Sequence, residues 1–212
     1  LAVLMMSYRS QRKMICMYKW DVQLAMVLIE QERVSSFVAP AAMTGDLVNA
    51  AGQSNRDLST LAMVGGGGAP RAPEQVKRIS QSFGNALPNT GWGMTETNAI
   101  GTGISGEDYL AHPGSSGRCS AVLDIRIMSE AGKVLPSGTP GELQIRGASI
   151  IEGYWQRPDA NAETFVDGWL RTGDVAYVDS EGYVYIVDRI KDLVIRGGEN
   201  IGCAEVEAGL LE

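Results

Sequence analysis

Apolar residues recur at helical spacing over residues 21–31. Val22, Ala25, Met26, Leu28 and Ile29 fall on one face, behind Asp21, whose carboxylate can accept from a free N–H of the first turn. The period then changes. Residues 34–38 form a short β-branched run that stops before Pro40, and 58–64 form a second apolar run leading into Gly65, Gly66, Gly67, Gly68, Ala69 and Pro70. Both runs predict strands. Pro73 and Glu74 open a helix predicted over 73–83, with proline where an N–H is spare and acid where the helix dipole favours it. Strand, glycine turn and helix are the grammar of α/β layers, in which ligands gather beyond the C-terminal ends of parallel strands.

From about residue 114 short alternating runs replace the helical period. Those at 122–128, 141–146, 175–178 and 183–187 predict strands, with hairpin tips at 130–133 and 179–182 where acidic residues meet glycine. One more strand is expected at 193–195 and a helix from about 204. The expected fold class is α/β: part of a parallel α/β subdomain followed by an antiparallel β-barrel-like subdomain.

Composition narrows the choice. Of 212 residues, 44% are hydrophobic and 20% charged, which supports a packed core and excludes disorder. Acidic residues number 25 against 18 basic ones, for a net charge of -7, so neither nucleic acid nor a polybasic membrane arm is expected. The apolar opening at 1–6 is too short to span a bilayer and lacks the flanks of a signal peptide. Cys16, Cys119 and Cys203 share no metal-ligand spacing and read as reduced thiols of a cytoplasmic protein.

Several familiar motifs fail on context. Gly101, Gly103 and Gly106 match the dinucleotide fingerprint, but no buried strand leads in, and Glu107 and Asp108 stand where a helix should open. The run of four glycines lacks the Gly-Lys-Ser/Thr ending of a phosphate loop. His112 is the only histidine, expected in a solvated loop, so neither a metal set nor a Ser-His-Asp triad is supported.

Residues 91–97 (GWGMTET) carry more. Glycines flank an aromatic ring that a base could stack upon, and a hydroxyl and a carboxylate follow, suited to phosphate and Mg²⁺. Residues 171–174 (RTGD) put an acid at a glycine turn, where it can accept from both hydroxyls of a ribose. Residues 188–192 (DRIKD) and 196–200 (RGGEN) complete the series. Each segment has a bland counterpart: a flexible turn, a strand end with a buried Trp and a capping Thr, a solvated strand end.

The ordered set GGGGAP, GWGMTET, GELQIRG (141–147), GYW (153–155), RTGD and DRIKDLVIRGGENI (188–201) resembles the adenylate-forming superfamily. Within it, GGENI followed by CAEVE is most similar to acyl-CoA synthetases acting on fatty or related carboxylic acids. The resemblance implies ATP, Mg²⁺, coenzyme A and a small carboxylic acid as ligands. Gly67, Gly68, Ala69 and Pro70 would border the adenine and acyl site, and the backbone of Gly91, Gly93 and Met94 would line it. Trp92 would stack on adenine, where Tyr is commoner. Thr95 would bind the α-phosphate and Glu96 the Mg²⁺. Asp174 would hold the ribose hydroxyls, with Arg189 beside ribose and phosphates. Lys191 would be the hinge, and Gly197, Gly198 and Glu199 would line the coenzyme A tunnel.

The same likeness implies three regions: an α/β part of the AMP-binding domain over 1–112, truncated at its N-terminal side, its β-rich subdomain over 113–190, and the hinge with the beginning of a lid domain over 191–212. The family's early Pro-Lys-Gly phosphate loop and its late catalytic lysine have no counterpart here. The expectation is therefore a central piece of a longer ligase, inactive by itself. Transfer to a carrier protein, or nucleotide binding without catalysis, are the alternative readings.

Overall fold

The computed structural model describes residues 2–67, 73–191, 194–196 and 199–201. The chain divides into two compact units, one of residues 1–91 with 105–113, the other of 92–104 with 114–212. No helix among the described residues is long and apolar enough to cross a membrane.

In the first unit, helix α1 (Ala2–Arg9) precedes α2 (Val22–Glu32). Asp21 caps α2 as expected, its carboxylate accepting from Leu24 N at 3.0 Å, and Arg33 ends it in a left-handed conformation. Ala25, Met26 and Ile29 are buried, while Val22 and Leu28 are half-buried. Strands β1 (Ser36–Val38) and β2 (Met63–Gly65) pair in parallel, Phe37 beside Val64. Between them lies helix α3 (Ala41–Ala51), which the pattern did not predict because Gly45 interrupts it. Its glycine serves close packing: a Cβ there would lie 2.9 Å from Gln75 Nε2, whose amide donates to Ala41 O at 3.0 Å. Helix α4 (Pro73–Ser82) buries Val76 and Ile79. Strand β2 is shorter than the predicted 58–64, because Leu61 N bonds Leu58 O in a turn while both leucines enter the core. That core joins Met26, Ile29, Leu47, Val64, Ile79 and Phe83.

Strand β3 (Leu87–Trp92) pairs in parallel with β2, Val64 beside Pro88. Of the dinucleotide-like glycines, Gly101 precedes strand β4 (Thr102–Ser105), Gly103 lies on it, and Gly106 opens helix α5 (Gly106–Ala111), which follows at once. A helix does open at Gly106, against expectation, because Gly106 takes the left-handed φ of 62° that turns the chain. Gly106 alone makes the turn, with no longer glycine loop between strand and helix. His112 ends α5 half-buried, its N–H on Asp108 O, rather than in a solvated loop.

The second unit is antiparallel. Strands β5 (Gly117–Cys119), β6 (Leu123–Met128), β7 (Gly141–Gly147), β9 (Trp169–Val178) and β10 (Tyr183–Arg189) join β4 in the order β4-β5-β10-β9-β7-β6. Helix α6 (Pro158–Thr164) and the two-residue β8 (Phe165–Val166) sit beside β9. The expected barrel-like subdomain is this antiparallel sheet, which is not closed among the described residues. Strand β9 has ten residues where the pattern predicted four. Its buried positions are Leu170, Thr172, Asp174 and Ala176, and the two polar ones conceal the alternation. Strands β11 (Val194–Arg196) and β12 (Glu199–Ile201) form a separate hairpin. The helix expected from 204 lies outside the described residues.

Leu143 on β7 has no exposed surface and packs with Ile127, Ala176 and Val184. Leu143→Ala in the full-length protein should cost about 2–5 kcal/mol by lost burial and a residual cavity. Urea unfolding followed by circular dichroism measures it; a loss below about 1 kcal/mol would show that the site collapses without harm.

Candidate functional site

In the first unit the chain leaves β2 through Gly66, whose φ of 139° suits only glycine; a Cβ there would also meet Ala39 O at 2.5 Å. Gly67 then passes so close to β3 that its Cβ would sit 2.7 Å from Gly91 O. Two of the motif glycines therefore meet at the C-terminal ends of neighbouring parallel strands. Gly68, Ala69 and Pro70 lie outside the described residues.

In the second unit Trp92 leads through Gly93 and Met94 into a single 3₁₀ turn, Thr95–Thr97. Thr97 locks it: the buried hydroxyl accepts from Met94 N at 3.1 Å and donates to Met94 O at 3.0 Å. Asn98 and Ala99 follow, both left-handed, with φ 53° and 62°. Left-handed backbone at alanine costs about 1–2 kcal/mol, strain of a kind that clusters at functional sites. Ala99 also crowds Gly93, where a Cβ would fall 3.0 Å from its carbonyl. The turn leaves Thr95 exposed and Glu96 half-buried.

Glu96 is held from a distant segment. Tyr154 donates its hydroxyl to Glu96 Oε1 at 2.7 Å, and Ile151 N donates to Glu96 O at 2.9 Å. Tyr154 is itself fixed by Asn161, which accepts from its N–H at 2.7 Å, and by the Phe165 ring 5.7 Å away. Burial first, and then the bond to Glu96, push the tyrosine hydroxyl above its usual range, so it remains a donor. Sequence reasoning quoted GYW as a motif yet gave Tyr154 no role; that motif was the available signal.

Asp174 is the most enclosed ionisable group of the set, only 4% exposed. Its Oδ2 accepts from Trp92 Nε1 at 2.8 Å and its Oδ1 from Arg189 Nε at 3.0 Å. Its own N–H donates to Thr172 Oγ1, whose hydroxyl donates to Leu143 O at 2.7 Å. The β9–β10 register sets Arg189 opposite Asp174. The Arg189 side chain is 60% exposed and reaches solvent. Trp92, Asp174 and Arg189, far apart in sequence, thus form one cluster. Lys191 is exposed in the turn after β10. Glu199 begins β12, and Gly197 and Gly198 lie outside the described residues. Cys16 is exposed and Cys119 half-buried, both free thiols, and burial raises the pKa of Cys119.

One unit is thus parallel α/β, and the other is an antiparallel sheet that carries the Trp92–Asp174–Arg189 cluster and the Thr95–Thr97 turn. A sequence model described as AMP-binding enzyme matches residues 1–155, and the chain belongs to that family. It is 36% identical over 211 residues to a 2-succinylbenzoate–CoA ligase of Bacillus cytotoxicus, covering 100% of this chain and 43% of that protein. It is 38% identical over 189 residues to a feruloyl-CoA synthase of Amycolatopsis sp., covering 89% of this chain and 38% of that one. The structure of O-succinylbenzoate coenzyme A synthetase from Bacillus subtilis, in complex with ATP and magnesium ion, superposes with a TM-score of 0.89 at 29% identity. That match covers 100% of this chain and 43% of the other. The chain thus spans about two fifths of the length of the relatives it matches.

Proposed function

We propose that the full-length protein is an acid–thiol ligase. A carboxylate oxygen attacks the α-phosphorus of ATP, the bond to pyrophosphate breaks, and an acyl-adenylate forms. The sulfur of coenzyme A then attacks the acyl carbon, and AMP leaves as the thioester forms. Attack of one anion on another needs charge neutralisation and positioning more than a nucleophilic side chain, which suits a candidate site built from Trp92, Thr95, Glu96, Asp174 and Arg189. The observation that carries the reading is Asp174, a nearly buried carboxylate held at both oxygens in a family with an ATP-bound member. In this reading Asp174 takes the ribose hydroxyls, Arg189 lies beside ribose and phosphate, and Thr95 bonds the α-phosphate.

Glu96 fits a hard cation: it offers carboxylate oxygen at a solvent-reaching turn, and Tyr154 engages only Oε1. Magnesium, when bound, neutralises phosphate charge. The acid is a fatty or related carboxylic acid, a choice supported by the acyl-CoA-synthetase-like GGENI and CAEVE segments. The test is acid-dependent ATP–pyrophosphate exchange on a panel of fatty and aromatic acids, followed by thioester formation with coenzyme A or a phosphopantetheinyl carrier. Exchange with at least one acid, and transfer to coenzyme A, are expected. No exchange with any acid, despite nucleotide binding, would overturn the ligase reading.

Tyr154→Phe removes one hydrogen bond to a charged partner, worth about 1.5–3 kcal/mol. The Mg²⁺ concentration for half-maximal exchange should rise at least about tenfold, with little change in the KM for the acid. An unchanged magnesium titration would detach Tyr154 from the role of Glu96.

A further inference from the structure

We propose that Trp92 is a positioning residue for ribose recognition, acting through its indole N–H on Asp174 and not only through the face of its ring. The proposal rests on the reading above, in which Asp174 takes the ribose hydroxyls. A carboxylate that is 4% exposed must find donors inside the protein, because water reaches it poorly. It has two side-chain donors, one on each oxygen, at 2.8 Å from Trp92 and 3.0 Å from Arg189.

The two donors are not equivalent. Arg189 stands at the end of β10 on a long side chain that is 60% exposed, where solvent screens its charge. Trp92 is half-buried and held by backbone and ring contacts. Its backbone N–H donates to Thr102 Oγ1 at 3.3 Å, and that hydroxyl donates to Ser116 O at 2.6 Å. Its ring packs on the groups around Leu143 and around Ile145. Gly101 lies directly against it: a Cβ there would overlap Trp92 O and sit 2.8 Å from the ring atom Cε3.

An indole N–H only donates, so it pairs with the ionised carboxylate and cannot reverse its role. Held at Oδ2 by a rigid ring, the Asp174 carboxylate cannot rotate freely about its Cβ–Cγ bond. Each oxygen keeps a lone pair in reserve, which matches the demand of two neighbouring hydroxyls donating to one carboxylate. Phenylalanine at position 92 would preserve an aromatic face yet abandon this grip.

The experiment measures binding of ATP and of 2′,3′-dideoxy-ATP, with magnesium and without acid, by calorimetry on the full-length protein. Wild type should prefer ATP by at least about tenfold, the scale of one hydrogen bond to a charged group. Trp92→Phe should weaken ATP about tenfold and dideoxy-ATP less than about twofold, so the preference for ATP shrinks by at least about fivefold. Replacing Trp92 by 3-benzothienylalanine, which exchanges the N–H for sulfur in the same shape, should reproduce that narrowing if the phenylalanine variant folds poorly. Equal weakening of both nucleotides in these variants would assign the ring to stacking or structure and overturn the proposal. An undiminished preference for ATP would overturn it too. A wild-type preference near one, unchanged in Asp174→Ala, would overturn the ribose reading itself, a result distinct from either.

Discussion

Asp174→Ala in the full-length protein should lower kcat/KM for ATP by about 10²–10⁴. The argument is one of charge-assisted bonds: two ribose hydroxyls donating to one carboxylate contribute about 1.5–3 kcal/mol each, and 1.4 kcal/mol is already tenfold. The substitution also strands Trp92 Nε1, which has its partner at 2.8 Å on Asp174, and releases the Arg189 guanidinium. A stranded donor costs about 1–3 kcal/mol if it stays buried, so a fall in thermal midpoint should accompany the kinetic loss. The two effects separate on ligand choice. The folding penalty acts on every substrate alike, whereas the ribose penalty vanishes with dideoxy-ATP. A variant whose KM and kcat/KM for ATP both stay within about twofold of wild type would dismiss Asp174 from the nucleotide site.

What the sequence made legible follows from what its periodicities can carry. Helix α2 was readable because its buried Ala25, Met26 and Ile29 are apolar and follow a capping acid. The hairpin of β9 and β10 was readable at its tip, where Asp179 accepts from Glu181 N and Tyr183 N. Helix α3 was not, because Gly45 reads as a breaker until the close approach of Gln75 is known. The first half of β9 was hidden for a different reason. Its inward positions, Thr172 and Asp174, are polar, and a hydrophobic alternation cannot register buried polar groups. That same polarity marks the candidate site, so the stretch where pattern reading failed is where the candidate carboxylate, Asp174, sits.

The site was legible as separate segments but not as contacts. Motif order singled out Trp92, Glu96, Asp174 and Arg189; it could not say that an indole donates to the carboxylate 82 positions away. Nor could GYW tie Tyr154 to Glu96, 58 positions away, since a tyrosine beside a tryptophan reads as ordinary packing. Hydrogen-bond partners are fixed by the register of β9 against β10 and by the turn at Thr97, and neither is written in local composition.

Lys191→Pro should split the two half-reactions of the full-length protein. In the proposed scheme the segment after β10 must reorient between adenylation and thioester formation, and a hinge does so by changing φ and ψ at one or two residues. Among the described residues, Ile190 makes the last backbone tie of β10 to β9, its N–H donating to Gly173 O at 2.9 Å. Lys191 follows in an exposed turn, so it is the first position free to pivot. Proline fixes φ near -65° and restricts the residue before it, here one already held to β9. Trp92, Glu96 and Asp174 all precede the pivot, so ATP–pyrophosphate exchange should persist within about tenfold of wild type, roughly 1.4 kcal/mol. Thioester formation should fall by at least about a hundredfold, the loss of one of two required orientations. Exchange and single-turnover thioester assays on the same preparation measure both. Two activities near wild type would make Lys191 a solvated lysine at a strand end. Equal loss of both would mean that the proline disturbs the β9–β10 hairpin or that the lysine serves adenylation, and the hinge would have to be sought elsewhere.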